Sequence, residues 1–522
     1  MTTSESKVVI IGAGVFGLST ALHLAKGEGY KDVTVFDYQP YQDNAYNPSE
    51  GCDGASADVN KIYRCTYGDE TEYQDLAFSG RPIWLEWNEQ IAKSKPEDLP
   101  KGLTPETKLF VPCGFYRLAV GPQLSAYDQM CLDELEKAGL REELHVKKNA
   151  ADMARLAEKD KADPSTHWLE KISVFDNFQG GTLDGFVDTV AGMTYADKSC
   201  AWARYLCEKA GVKFILGPEV GKLDDLIYEG EGDSKKVVGL KTADGKEHKA
   251  DVVVVACGGW TPSVLPDLNG ALEATAGSVA TITIPKERQD LWDKFSPEKF
   301  PCWGYGLTGH VSPEYGGFYG FPITPEGKIK IGYRGRKWTN YQTHPKTGQR
   351  LSVPKTKYTP DKAVNLPKKA IVNIKKVVFE LFPELRGIGI TDTRMCWYTD
   401  SVDNSFVIDY VPGYNKTLFV ASGGSGHGFK FLPVLGKHVK NQLEGVQDQF
   451  TPLWKFRKAV PGEHANGLEE GENSGRNLAS LELADVSDWV WAEPGEVKIE
   501  EDEKSNGVLN GLVDKVKSLV VS

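Results

Sequence analysis

The sequence predicts an α/β fold: a discontinuous Rossmann-like domain with a second domain, built on a mixed β-sheet, inserted into it. Three observations predict it. "KVVIIGAGVFGLSTALHLAKG", from residue 7, is a β-branched run, a glycine turn and then an apolar pattern with helical spacing. Strand-then-glycine elements recur at "DVVVVACGGW" (251–260) and "TLFVASGGSGHGFKFLPVLGKHV" (417–439). The stretch from 270 to 385 differs: runs such as "SVATITI" and "GKIKIGY" lie among aromatics and prolines.

Val8 to Ile11 reads as a buried parallel strand. "DVTVFD", Asp32 to Asp37, reads as the next strand and completes a βαβ unit. "YADKSCAWARYLCEKAGVKFILG", Tyr195 to Gly217, reads as an amphipathic helix and a strand. These elements place a nucleotide domain at 1–105, 165–265 and 385–445, and a substrate domain at 106–164 and 266–384. Residues 446–522 are expected to be a partly flexible C-terminal extension. There "IEEDEKSNG" reads as a solvated linker, and Leu509, Leu512, Val516 and Leu519 fall on one helix face.

Composition narrows the class. The 522 residues are 40% hydrophobic and 26% charged, enough for two or three cores. A net charge of −12 argues against nucleic acid or an anionic membrane as the main partner. No apolar run is long enough to span a bilayer, the N-terminus has no secretory pattern, and "SLVVS" is not the peroxisomal tripeptide. A cytoplasmic chain is the expectation. Nine cysteines without a CxxC pair argue for reduced thiols and against a metal site.

Gly12, Gly14 and Gly17 form GxGxxG between the first strand and helix. Gly12 permits the tight turn, Gly14 lets backbone approach a pyrophosphate, and Gly17 lets helix and strand pack closely. Val15 and Phe16 open the helix whose N-terminus faces the negative charge. Asp37, ending the second strand, can accept from a ribose hydroxyl. An acidic residue there disfavours a 2′-phosphate and leaves FAD or NAD. Cys257 and Gly258, after the middle strand, are further candidates for the cofactor site.

Two stretches decide between the cofactors. "ASADVNKIYRCTYGDETEY" and "GGSGHGFKF", together with "CWYTDSVDNSFVIDYVP", resemble the flavin amine oxidases that include monomeric sarcosine oxidase, L-pipecolate oxidase and fructosyl amino acid oxidase (amadoriase). The resemblance runs in patches, in order, from Val8 to about Val439. It implies FAD, with Ser56 near it. It also implies that Cys396, in the "CxYT" setting with Tyr398, carries the flavin through a thioether. By itself a cysteine between methionine and tryptophan is ordinary core packing. Gly426, His427 and Gly428 match a helix N-terminus beside the flavin. Lys430 matches the lysine that pairs with the substrate carboxylate. Lys330, alternating with Ile329 and Ile331, matches the lysine that activates oxygen. Tyr319 matches a pocket aromatic. Lys61 and Arg64 match basic positions near flavin and substrate, the lysine being more like the fructosyl enzymes.

Arg334 departs from the pattern, standing where sarcosine oxidase has histidine and the fructosyl enzymes an acidic residue. Arginine suits a carboxylate or phosphate, on the substrate or on the protein. The implied activity is FAD-dependent oxidation of a secondary amine of an amino acid by a monomer. The candidates are an N-methyl amino acid, pipecolate, saccharopine and a fructosyl amino acid. Oxygen would become hydrogen peroxide, and the imine would hydrolyse. The alternatives are a flavin dehydrogenase with another acceptor, or a non-catalytic flavin-binding interaction protein.

Overall fold

The computed structural model describes residues 2–27, 29–120, 123–179, 183–307, 316–363, 365–458, 460 and 470–490. The helical face at Leu509, Leu512, Val516 and Leu519 lies outside them.

Two sheets organise the chain. The first has six strands in the order Val407–Tyr410, Leu418–Ser422, Val252–Val255, Val8–Ile11, Val33–Asp37 and Lys213–Leu216. All neighbours are parallel except the Val407–Tyr410 edge, which is antiparallel to Leu418–Ser422. Its central strands are buried along their whole length, as a parallel sheet covered on both faces requires. Helix Val15–Ala25 covers it and meets helix Leu435–Glu444 closely. A Cβ on Gly436 would stand 1.8 Å from the Ser19 carbonyl oxygen, so only glycine allows this approach. Ser19 Oγ joins the two segments, donating to Leu432 O (2.7 Å) and accepting from Gly436 N (2.8 Å).

The second sheet has eight strands: Asp392–Ser401, Leu272–Thr283, Lys328–Trp338, Phe318–Gly320, Cys302–Tyr305, Phe115–Val120, Leu183–Asp188 and Leu144–Val146. Only Cys302–Tyr305 beside Phe115–Val120 is a parallel pair. Its core is rich in aromatics, among them Phe175, Phe300, Trp303 and Phe382. Leu183–Asp188 and Asp392–Ser401 were placed by sequence with the nucleotide segments, yet both hydrogen-bond into this sheet. The long pairing of Asp392–Ser401 with Leu272–Thr283, from Leu272↔Ser401 to Thr281↔Asp392, brings Cys396 opposite Gly277.

Part of the C-terminal extension is docked. Asn477 bridges to Thr339, Leu483 bridges to Pro367, and the buried Arg476 pairs with Glu273 at 2.8 Å. Among the described residues no helix is long and apolar enough to cross a membrane.

Candidate active site

A cavity of about 930 Å³ runs from the glycine turn of the first sheet to the middle of the second. At its first end Gly12 takes φ +107°, and a Cβ there would stand 2.4 Å from Ala256 O. A Cβ on Gly17 would stand 1.8 Å from Gly12 O, so this glycine seals helix to strand and does not itself line the cavity. Ser56 Oγ accepts from Val15 N (2.9 Å). Asp37 accepts from Ala13 N (2.8 Å) and Gln39 N (2.9 Å). Burial raises its pKa to about 6, against those backbone hydrogen bonds. Gly12, Gly14, Val15, Phe16, Asp37, Ser56, Cys257 and Gly258 all face the cavity. A glycine cradle, a helix N-terminus and an acceptor at the end of the second strand fit a dinucleotide.

Midway stands a cluster on Asp58. The Asp58 carboxylate is 3% exposed and takes both Lys61 Nζ (2.6 Å) and Lys330 Nζ (2.9 Å). Arg394 adds a third cation at 3.9 Å. Burial works against the Asp58 charge, but these cations hold its pKa far below the carboxylate range. Burial lowers Lys330 to about 8 despite Asp58. Lys61 faces the cavity, and its Nζ lies 3.7 Å from Cys396 Sγ, also on the cavity wall. Lys330 stands one layer back, over the Phe321 ring at 4.6 Å.

At the far end three cations converge. Lys430 Nζ donates to Tyr67 Oη (2.6 Å) and His427 O (2.8 Å). Burial first, then Arg64, pushes its pKa well below the usual lysine range. Burial keeps His427 neutral. Its Nε2 faces Asn404 O (3.0 Å), an acceptor, so Nε2 carries the proton and Nδ1 accepts from Tyr67 Oη (3.1 Å). The Arg64 guanidinium stacks 4.1 Å above Tyr67. Arg334 donates to Ser425 O (3.1 Å) and stands 5.6 Å above the Tyr398 ring. Arg334 Nε and Tyr398 Oη are buried without a hydrogen-bond partner, and both residues line the cavity. Among the described residues none of Arg64, Arg334 and Lys430 forms a salt bridge with a carboxylate; Glu70 is the acidic residue sharing that wall.

The structure therefore brings Lys61, Arg64, Tyr319, Arg334, Cys396, Tyr398, Gly426, His427, Gly428 and Lys430 to one cavity, with Lys330 behind it. One expectation is corrected. The glycines at 423–428 lead into a single 3₁₀ turn, Phe429–Phe431, and the α-helix starts only at Leu435. Ser425, at φ +43°, and Gly426, at φ +71°, turn the chain too sharply for a helix to begin there. Sequence reasoning missed Asp58, Tyr67 and Asn404. Asp58 stands three residues before Lys61, the one signal that could have found it.

Fold and cavity together define a dinucleotide-binding protein whose cavity ends in a cluster of cations, Arg64, Arg334 and Lys430. Residues 7–442 match the model of the FAD dependent oxidoreductase family DAO, and the chain belongs to that family. It is 27% identical over 464 residues to L-saccharopine oxidase of Schizosaccharomyces pombe, covering 86% of this chain and 93% of the relative. It is 24% identical over 432 residues to monomeric sarcosine oxidase of Bacillus sp., covering 82% and 90%. A solved fructosyl peptide oxidase from E. terrenum has the same fold, with a TM-score of 0.70, 23% identity, and coverage of 93% of this chain and 100% of that one.

Proposed function

We propose that this chain is an FAD-dependent oxidase of a secondary amine on an amino acid with a second acidic group. The observation that carries this is the trio Arg64, Arg334 and Lys430 on one cavity wall without a salt bridge to a protein carboxylate among the described residues. Buried charges need partners, and the missing ones belong to the ligand. The names of the relatives, saccharopine oxidase and sarcosine oxidase, support an amine of this kind.

FAD, when bound, supplies the acceptor for hydride from the C–H beside nitrogen and returns the electrons to oxygen as hydrogen peroxide. Cys396 is our candidate for its covalent attachment. Lys430 and Arg64 hold the α-carboxylate. Its charge restores the Lys430 pKa that burial depresses, and the Lys430–Tyr67–His427 chain fixes the ammonium's direction. Tyr319 and Tyr398 wall the amine against water. Lys61, Lys330 and Arg394 exceed the single charge of Asp58, leaving a positive field beside Cys396 that favours reduction of oxygen. We propose that the protein acts as a cytoplasmic monomer, with the nucleotide and substrate segments read from the sequence except that Leu183–Asp188 and Asp392–Ser401 belong to the substrate sheet.

The test is Arg334→Ala. It is expected to raise KM for a dicarboxylic secondary amine by at least about tenfold, the loss of one charge-assisted pair, and to leave N-methyl amino acids within about twofold. Equal effects on both would remove Arg334 from substrate recognition.

A further inference from the structure

We propose that Cys113 and Cys302 are an oxidisable dithiol behind the cavity wall, which hydrogen peroxide converts to a disulfide. Their sulfurs are 3.8 Å apart, and the residues are 1% and 0% exposed. All nine cysteines are free thiols. Among the described residues no other two of their sulfurs are in contact. Cys302 opens the strand Cys302–Tyr305, and Cys113 lies two residues before its parallel neighbour Phe115–Val120. Cys302 lies beside Phe115 in the register, and its N–H donates to Gly114 O (3.1 Å).

The pair shares a small cluster with Phe115, Phe321, Leu307 and Tyr319. Those four side chains also line the cavity, so one layer separates the sulfurs from the place where the proposed oxidase would release peroxide. That source rests on the proposed function; the dithiol does not. Burial opposes ionisation of Cys113, but the hydrogen bond from Cys302 and the Lys171 ammonium bring its pKa below the usual range. Burial and Cys113 push Cys302 up. Cys113 is therefore the nucleophile.

Cys113 sulfur attacks one peroxide oxygen and the O–O bond breaks. One water leaves, taking the thiol proton, and a sulfenic acid remains. Cys302 sulfur then attacks the sulfenic sulfur, the S–S bond forms, and its proton leaves with the second water. Two thiols lose two electrons and peroxide becomes two waters. Closing 3.8 Å to about 2.05 Å draws the two strand ends together and shifts Phe115 in the wall.

The experiment uses the full-length holoenzyme. It is treated with hydrogen peroxide, alkylated in denaturant and digested, and the cysteine peptides are weighed. The expected product is a Cys113–Cys302 cross-link, lighter by two hydrogens and absent after dithiothreitol. kcat/KM for the amine should fall at least about twofold with the cross-link and recover with reductant. Cys302→Ser should show neither change; should that variant not fold, the wild-type peptide map decides alone. Both cysteines alkylated as in untreated protein, or Cys113 driven to sulfinic acid without a cross-link, would overturn the proposal. A second arm replaces added peroxide with amine turnover, with and without catalase. Cross-linking by added peroxide alone would keep the dithiol and reject the oxidase as its oxidant source.

Discussion

Asp58→Asn removes one charge from under two lysines and keeps the shape. Asp58 holds Lys61 at 2.6 Å and Lys330 at 2.9 Å and is 3% exposed. Coulomb's law at an effective dielectric constant of about 20 gives roughly 6 kcal/mol for unit charges at 2.9 Å. Even a third of that lowers Lys330 by more than about one pKa unit. Lys330 starts at about 8, so the variant's lysine is largely neutral near neutral pH. The assay is stopped-flow reoxidation of the anaerobically reduced enzyme by oxygen across about pH 6 to 9. In wild type the rate should fall as pH rises through about 8, where Lys330 loses its proton. In Asp58→Asn the fall should come about one to one and a half units lower, making the variant roughly three- to sevenfold slower at about pH 7.5 and nearly equal at about pH 6. Unfolding in urea at about pH 6, where both lysines keep their charge, should show a loss of about 3 kcal/mol, because the buried Lys330 and the half-buried Lys61 lose their partner. Superimposable profiles would refute the role of this cluster in the oxygen reaction.

Cys396→Ala should lose the fluorescent flavin band that denatured wild-type protein keeps on a gel; a wild-type flavin that washes out on denaturation would return Cys396 to core packing. Arg476→Ala leaves Glu273 buried and directly opposite Asp400 in the sheet. It should cost about 3 kcal/mol in urea unfolding, with KM for the amine unchanged, and a loss under about 0.5 kcal/mol would deny the extension a structural role. Gly17→Ala should yield little soluble flavoprotein, since its Cβ would stand 1.8 Å from Gly12 O; a yellow, well-folded variant would show that the helix can shift away from the turn.

Features that depend on local backbone chemistry were legible in the sequence. The glycine turn, the Asp37 acceptor and the strands at Val8–Ile11 and Val252–Val255 follow from residues near one another in the chain. The charge cluster was not legible, because Asp58 and Lys330 are 272 residues apart and meet only when the loop before Asn60–Tyr63 packs against the strand Lys328–Trp338. The helix after the late glycines was misplaced because its apolar spacing continues back through the 3₁₀ turn, while the positive φ at Ser425 depends on Thr399 O receiving its N–H. The docking at 470–490 was hidden by an acidic composition. Arg476 reads as surface charge until Glu273 appears beneath it.

Oxygen uptake is the direct test of whether this protein is an amine oxidase. The purified yellow protein would be screened with N-methyl amino acids, pipecolate, saccharopine and fructosyl amino acids, with oxygen and peroxide followed together. Stoichiometric peroxide is expected from at least one of these amines, fastest with one bearing a second carboxylate. Anaerobic bleaching by an amine without oxygen uptake would make the protein a dehydrogenase, and no bleaching by any of them would contradict the assignment of the cavity.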